Sequence, residues 1–263
     1  MARNKNPDAK MSLSGHLKEL RNRLFWSALF IIGGSVAGWF MFDFVFSELQ
    51  RPIVELASKP GSNVTINFPT VVSALDVRWQ VSIFLGILMS APVWLYNLWA
   101  FITPGLKKRE KRYTIGFVFA SVPLFIGGTA LAWSSLPTFV VVLVGFTPEG
   151  AANVINASEY ILFTIRILLV FGLAFVLPVA LVMLNFAGVI TAENIIKSWR
   201  MAVFISAVVG AIATPVAEPT AMFLLMVPLL FLYFLAAGIA FLHDKRVARK
   251  LAALELANPQ DAI

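Results

Sequence analysis

Apolar runs long enough to cross a hydrocarbon core, which takes ~20 residues of helix, recur along the chain with short polar or basic breaks between them. The first extends from Leu24 to about Phe46. It is too long for the apolar part of a signal peptide and no small-residue cleavage site follows, so it reads as an uncleaved first span. Further helices are expected from about Asp76 to Ile102, Tyr113 to Leu136 and Tyr160 to Ala187. With 59% apolar and 13% charged residues, the chain lies far from the ~45–50% and ~25% of soluble domains. The runs alternate only weakly, so an all-α integral membrane protein is expected rather than a β-barrel.

The last apolar region is broken. Trp199 to Ala213 rises only ~22 Å at ~1.5 Å per residue, against a ~30 Å core. Thr214, Pro215, Glu218 and Pro219 then interrupt it, and apolar sequence returns from Thr220 to Leu242. Two short spans beside a thinned bilayer are one reading, and a re-entrant hairpin is the other. A carboxylate at Glu218 is costly to stop inside hydrocarbon, which favours spanning. Six helices result, the fifth and sixth short.

Charge placement tests this count. The N-terminus, 103–112, 188–200 and 243–263 fall on one face under a six-helix topology. They hold most of the 21 Lys and Arg residues but only half of the 14 acids. The positive-inside rule then puts both termini in the cytoplasm. The net charge of +7 is thus explained by topology and calls for no nucleic acid. The expected organisation is a cytoplasmic amphipathic segment at 1–23, a membrane domain at 24–242 and a cytoplasmic tail at 243–263, frayed at its end.

Within that frame the stretch from Ser90 to Arg112 stands out. Trp94, Tyr96, Trp99 and Phe101 lead into a break at Thr103-Pro104-Gly105 and then a basic run holding a single acid, Glu110. Aromatics ahead of a basic loop mark a cytoplasmic membrane surface. Glu110 in that loop either pairs with Lys107 or Lys111, which contributes little, or accepts an incoming guanidinium in bidentate fashion. Upstream, Leu13, Leu17, Leu20 and Leu24 fall on one helical face. That segment is either an interfacial helix only, or it also offers Glu19 as a second carboxylate near Glu110. A partner carrying two arginines would find both acids at one membrane face.

Other chemistry is poorly supported. There is no cysteine, and His16 and His243 are the only histidines, which argues against a metal site. No Walker loop, nucleophile elbow or zinc-protease motif is present, so no enzyme and no cofactor is expected. Arg78 reads as snorkelling to headgroups; Arg166, about two turns inside its helix, reads as facing a polar recess. Pro92, Pro123, Pro178 and Pro228 each interrupt a helix. Asn63 and Asn156 begin glycosylation sequons of a kind that arises by chance. A secondary transporter using Arg166 and a purely structural anchor are the alternative functions; no internal repeat supports the former.

These residues resemble the TatC family, the polytopic receptor subunit of the twin-arginine translocase, over about residues 12–245. His-Leu-x-Glu-Leu-Arg-x-Arg-Leu stands at His16 to Leu24. The longer Ser-Ala-Pro-Val-x-Leu-Tyr-x-x-Trp-Ala-Phe-x-x-Pro-x-Leu stands at Ser90 to Leu106, with Glu110 at the family spacing. Phe-Gly-x-x-Phe-x-x-Pro-Val appears at Phe171 to Val179, and a Thr-Pro turn with an acid at Thr214, Pro215 and Glu218. The resemblance implies a glove-shaped bundle of six helices with both termini inside, in the cytoplasmic membrane. It implies binding of paired-arginine signal peptides on folded cargo, assembly with single-span TatA and TatB subunits, more than one copy per complex, and transport driven by the proton-motive force. Glu19 and Glu110 match the acids linked to arginine recognition; Leu20, Arg21, Pro92, Phe101 and Leu106 match positions at or beside that site. Pro52 matches a proline of the first outer loop, and Glu218 stands in the outer turn where Asp is usual. Val176 and Phe234 replace residues that are often polar.

Because the chain lacks cysteine, single cysteines report topology cleanly. Lys107→Cys should label with a membrane-impermeant maleimide only from the side that also labels Lys5→Cys. Labelling of Lys107→Cys from the opposite side would remove the basic hairpin, and Glu110 with it, from the cytoplasmic face.

Overall fold

A computed structural model describes residues 13–59, 64–102, 111–148, 151–213 and 219–257. In chain order the elements are α1 (Leu13–Ala57), β1 (Val64–Asn67), α2 (Ser73–Met89), α3 (Ala91–Ile102), α4 (Lys111–Gly145), β2 (Asn153–Asn156), α5 (Ala157–Phe186), α6 (Ala192–Lys197), α7 (Trp199–Ala213) and α8 (Pro219–Ala257). Four helices are long and apolar enough to cross a membrane: Ser14–Ala57, Ile115–Gly145, Ala157–Phe186 and Leu225–Lys250. Among the described residues, α2 and α3 count as a fifth when the bent pair is taken as one span, and α7 is a shorter apolar helix.

The chain divides into two compact units. One holds residues 1–50 and 68–122, the other 51–67 and 123–263.

Helix α1, of which residues 13–50 belong to the first unit, is one uninterrupted helix of 45 residues, ~68 Å long and more than twice a hydrocarbon core. The expected interfacial segment and the first span are therefore a single rod, and Pro52 lies inside this helix rather than in a loop. The face predicted from Leu17 and Leu24 is open to the surroundings. Between α1 and α2 small residues set the spacing. A Cβ built on Gly86 would lie 2.2 Å from Ser35 Oγ and 2.5 Å from the Ile31 carbonyl. Helices in lipid gain nothing from excluding water, so close backbone approach of this kind holds them together.

The single helix expected over Asp76–Ile102 is instead two, bent by 60° at Ser90. Pro92 has no N–H and cannot continue the ladder. The broken turn is repaired locally: Ser90 Oγ donates to the Gly86 carbonyl at 2.7 Å, and the Trp94 indole donates to the Ile87 carbonyl at 3.0 Å. Across the unit, Trp99 Nε1 donates to Ser121 Oγ at 2.8 Å and Asn97 Nδ2 to Ser27 Oγ at 3.0 Å.

In the second unit, β1 and β2 form a parallel pair, Val64 opposite Asn153 through Asn67 opposite Asn156. Neither strand was foreseen; both lie in stretches read as loop. Asn156 also caps α5, accepting from Ser158 N at 3.0 Å, so this sequon residue has a structural task. Helices α4 and α5 cross where a Cβ on Gly172 would meet the Phe125 ring at 2.7 Å. Beside that crossing, Thr129 Oγ1 donates to the Phe125 and Leu168 carbonyls at 3.0 and 3.3 Å. Helix α5 ends at Phe186 with Ala187 as its C-cap, and the next residue, Gly188, has a φ of 70° that suits a residue without Cβ. Helix α7 has the short extent expected. Helix α8 does not: it runs 39 residues, far past Leu242.

Gly86→Leu should lower the thermal midpoint of the purified protein in detergent, on the scale of the ~1–3 kcal/mol of overpacking. Gly33→Leu on α1, where a Cβ meets nothing within 4 Å, should leave the midpoint unchanged.

Candidate functional site

The first turns of α1 and the end of α3 meet through an aromatic stack. The His16 imidazole lies 4.4 Å from the Phe101 ring, the planes 16° apart. Glu19 follows one helical turn after His16, on the same side of the rod. Its carboxylate is held by Arg23, one turn further on: Nε donates to Oε1 at 2.9 Å and Nη2 to the same oxygen at 2.5 Å. Both side chains are about one-fifth exposed. The other oxygen, Oε2, is buried and accepts no hydrogen bond among the described residues. Such an atom normally has a donor, since an unmade bond at a charged acceptor costs at least ~1–3 kcal/mol.

Of the residues assigned to recognition, the structure thus brings Glu19 into the neighbourhood of Phe101. Leu20 is half-buried and Arg21 exposed on the same turn. Pro92 is not part of this cluster. It sits in the first turn of α3, ~14 Å along the helix axis from Phe101 at ~1.5 Å per residue. Glu110, Leu106 and Glu218 lie outside the described residues.

The two intramembrane arginines depart from expectation. Arg78 does not snorkel freely. Its guanidinium stacks over Trp39 and Phe42 at 5.0 and 4.8 Å from the ring centres and lies 3.4 Å from Asp43. The aromatic faces and the carboxylate together form a cation clamp between α1 and α2. Arg166 is exposed on α5, away from the buried stripe of Ile161, Thr164, Ile165 and Leu168; it lines no recess among the described residues.

A second polar cluster in the other unit was missed. Asp244 on α8 accepts from Asn185 Nδ2 at 2.9 Å and from the Ala192 backbone N at 2.7 Å, tying α8 to the end of α5 and the start of α6. Asn185 also donates to the Ile190 carbonyl at 3.0 Å. His243 stacks on Phe186 at 4.1 Å, and the Tyr233 hydroxyl donates to the Ile195 carbonyl. On α6, a hydrogen bond from Lys197 holds the Glu193 carboxyl below the usual carboxylate range. The available signal was Asp244 itself, an acid at the junction of the last apolar run and the basic tail. Nothing in sequence pairs it with Asn185. The same unit holds an apolar groove of about 410 Å³, lined among others by Leu177, Pro178, Ile195, Met201, Ile205 and Tyr233. Val176 is buried and Phe234 exposed. No group of acids or histidines among the described residues is arranged to hold a metal ion.

The chain is similar to known proteins in sequence and in fold. A family model described as Sec-independent protein translocase protein (TatC) matches residues 15–228. A relative of that name from Xylanimonas cellulosilytica is 43% identical, covering 92% of this chain and 88% of its own. Another from Aquifex aeolicus is 36% identical over 85% of this chain and 92% of its own. A crystal structure of a twin-arginine translocase receptor, TatC, superposes with a TM-score of 0.72 at 33% identity, covering 86% of this chain and 99% of that one.

Asp244→Ala should lower the thermal midpoint by an amount equivalent to ~1–3 kcal/mol, because it strips an acceptor from a buried amide and a helix-start N–H together. Asp244→Asn, which keeps one acceptor oxygen, should lose less. Equal midpoints for wild type and Asp244→Ala would show that the Asp244 hydrogen bonds carry no stability.

Proposed function

The chain belongs to the TatC family, and on that premise we propose that it receives paired-arginine signal peptides through Glu19 and Glu110 at the cytoplasmic face of the membrane. It is a multi-pass membrane protein and the receptor subunit of a twin-arginine translocase, working in a complex with other translocase subunits. In the finer reading those subunits are single-span TatA- and TatB-type proteins, more than one copy of this chain assembles, and both termini face the cytoplasm. The excess of basic residues on the face shared by the N-terminus, 103–112 and the tail supports that orientation. Export draws on the proton-motive force, and the chain acts by binding rather than by catalysis.

One observation carries the site assignment: the buried, unpartnered Oε2 of Glu19, one turn from the His16–Phe101 stack. Phe101 stands two residues before the 103–110 stretch that holds Glu110, which supports a reading in which both carboxylates serve one face. A guanidinium offers planar N–H groups that match a carboxylate, whereas an ammonium offers only a point charge. Two acids at one face therefore suit two arginines better than two lysines. Leu20, Arg21 and Leu106 flank the carboxylates in this reading. Pro92 acts at a distance, by setting the bend that aims α3. Pro52 and Glu218 belong to the opposite face.

Glu110→Ala should abolish export of a twin-arginine reporter while the protein accumulates normally in the membrane. Glu19→Gln should weaken photocrosslinking of a twin-arginine peptide by about tenfold or more, the scale of losing a charge-assisted hydrogen bond. A twin-lysine peptide should crosslink poorly throughout. Unimpaired export with Glu110→Ala would sink the assignment.

A further inference from the structure

Glu19 is already in contact with a guanidinium, that of Arg23, and the way it is held has a consequence for specificity. Taken alone, a Glu–Arg pair four residues apart on a helix is common and contributes little. This pair differs in two respects. Both N–H groups of Arg23 converge on one oxygen, Oε1, whereas a freely approaching guanidinium would span both oxygens in a fork. The second oxygen is buried and has no donor. Arg23 reaches Glu19 from one turn along the same helix and occupies half of the acceptor.

Building on the receptor reading above, we infer that Arg23 is a resident competitor that sets the discrimination between arginine and lysine at Glu19. A guanidinium from a ligand replaces Arg23 like for like, N–H for N–H on Oε1, and adds a bond to Oε2. An ammonium cannot reproduce the two coplanar N–H groups that Arg23 withdraws. It is left to take Oε2 alone beside a retained positive charge, or to displace Arg23 at a net loss of hydrogen bonds. The resident arginine thus penalises lysine more than arginine, which is specificity by exclusion rather than by added attraction. Arg23 is a specificity-determining residue in this account and need not touch the ligand. With the competitor gone, both peptides gain, and lysine gains more.

The test compares photocrosslinking of twin-arginine and twin-lysine peptides to the full chain in native membranes, in wild type and in Arg23→Ala. The ratio of apparent affinities should narrow by about tenfold, as expected when one set of charge-assisted hydrogen bonds ceases to discriminate. Lys18→Ala removes an exposed cation from the same turn and serves as the control for net charge. It should shift both peptides alike and leave the ratio fixed. An unchanged or wider ratio in Arg23→Ala overturns the inference, and so does equal narrowing in Lys18→Ala. If Arg23→Ala fails to accumulate, Arg23→Lys, which keeps the charge and gives up the fork, is read by the same ratio. Glu19→Gln in the wild-type background separates the two levels: if it leaves twin-arginine binding intact, the receptor site itself is wrong. If it abolishes binding while Arg23→Ala leaves the ratio alone, only the competitor role fails.

Discussion

Inside hydrocarbon no water is available to a backbone N–H or C=O, so every interruption of a helix must be repaired by the protein itself. In this molecule the polar side chains of the apolar segments are explained largely by that requirement. At the Ser90 break, the serine hydroxyl adds a second bond to the Gly86 carbonyl, which already accepts from Ser90 N, and a tryptophan indole donates to the Ile87 carbonyl. At the end of α5, Asn185 takes the Ile190 carbonyl, and Asp244 takes the Ala192 N–H at the start of α6. Thr129 closes the α4–α5 crossing by donating to Leu168. The bend at Ser90 aims α3 so that Phe101 reaches His16, and that contact places the candidate site.

Much of the architecture was legible because hydropathy is a local signal. The start and end of α7 and the start of α5 lay within a few residues of the apolar runs. What local sequence could not carry was continuity. Helix α1 proceeds from Leu13 through Pro52 because polar residues such as Glu19, Arg23, Arg51 and Glu55 pair along its own surface at four-residue spacing, and nothing in the hydropathy marks a stop. The β1–β2 pair was hidden for another reason. Val64–Asn67 and Asn153–Asn156 are four residues each, and their pairing partner lies far away in sequence. The bend at Ser90 could have been read from Pro92, but not its angle, which depends on which side chains repair the break.

The site was legible in part. Glu19 and its spacing to Arg23 are visible in the sequence, while the one-sided geometry of their contact is not. Nor is the approach of His16 to Phe101, residues separated by most of α1, by β1 and α2, and by most of α3. Arg78 shows the same limit from the other direction. An arginine near a span end ordinarily snorkels, and only the fold brings Trp39, Phe42 and Asp43 around it. Residue type gave the candidates, and long-range packing decided which of them are engaged.

A receptor that must release its cargo has reason to keep its carboxylates half-engaged. A fully exposed ion pair yields ~0–1 kcal/mol and would scarcely hold a signal peptide. A carboxylate buried without any partner costs several kcal/mol and would destabilise the empty protein. Glu19 lies between these limits: Arg23 neutralises it in the empty state, and one oxygen is kept out of water with no donor. Binding then exchanges one guanidinium for another and adds a single new bond, so the net gain per site is the modest difference between two similar contacts. Two such differences are needed for useful affinity. On this argument the demand for a pair of arginines follows from the empty site being already occupied by one of the chain's own.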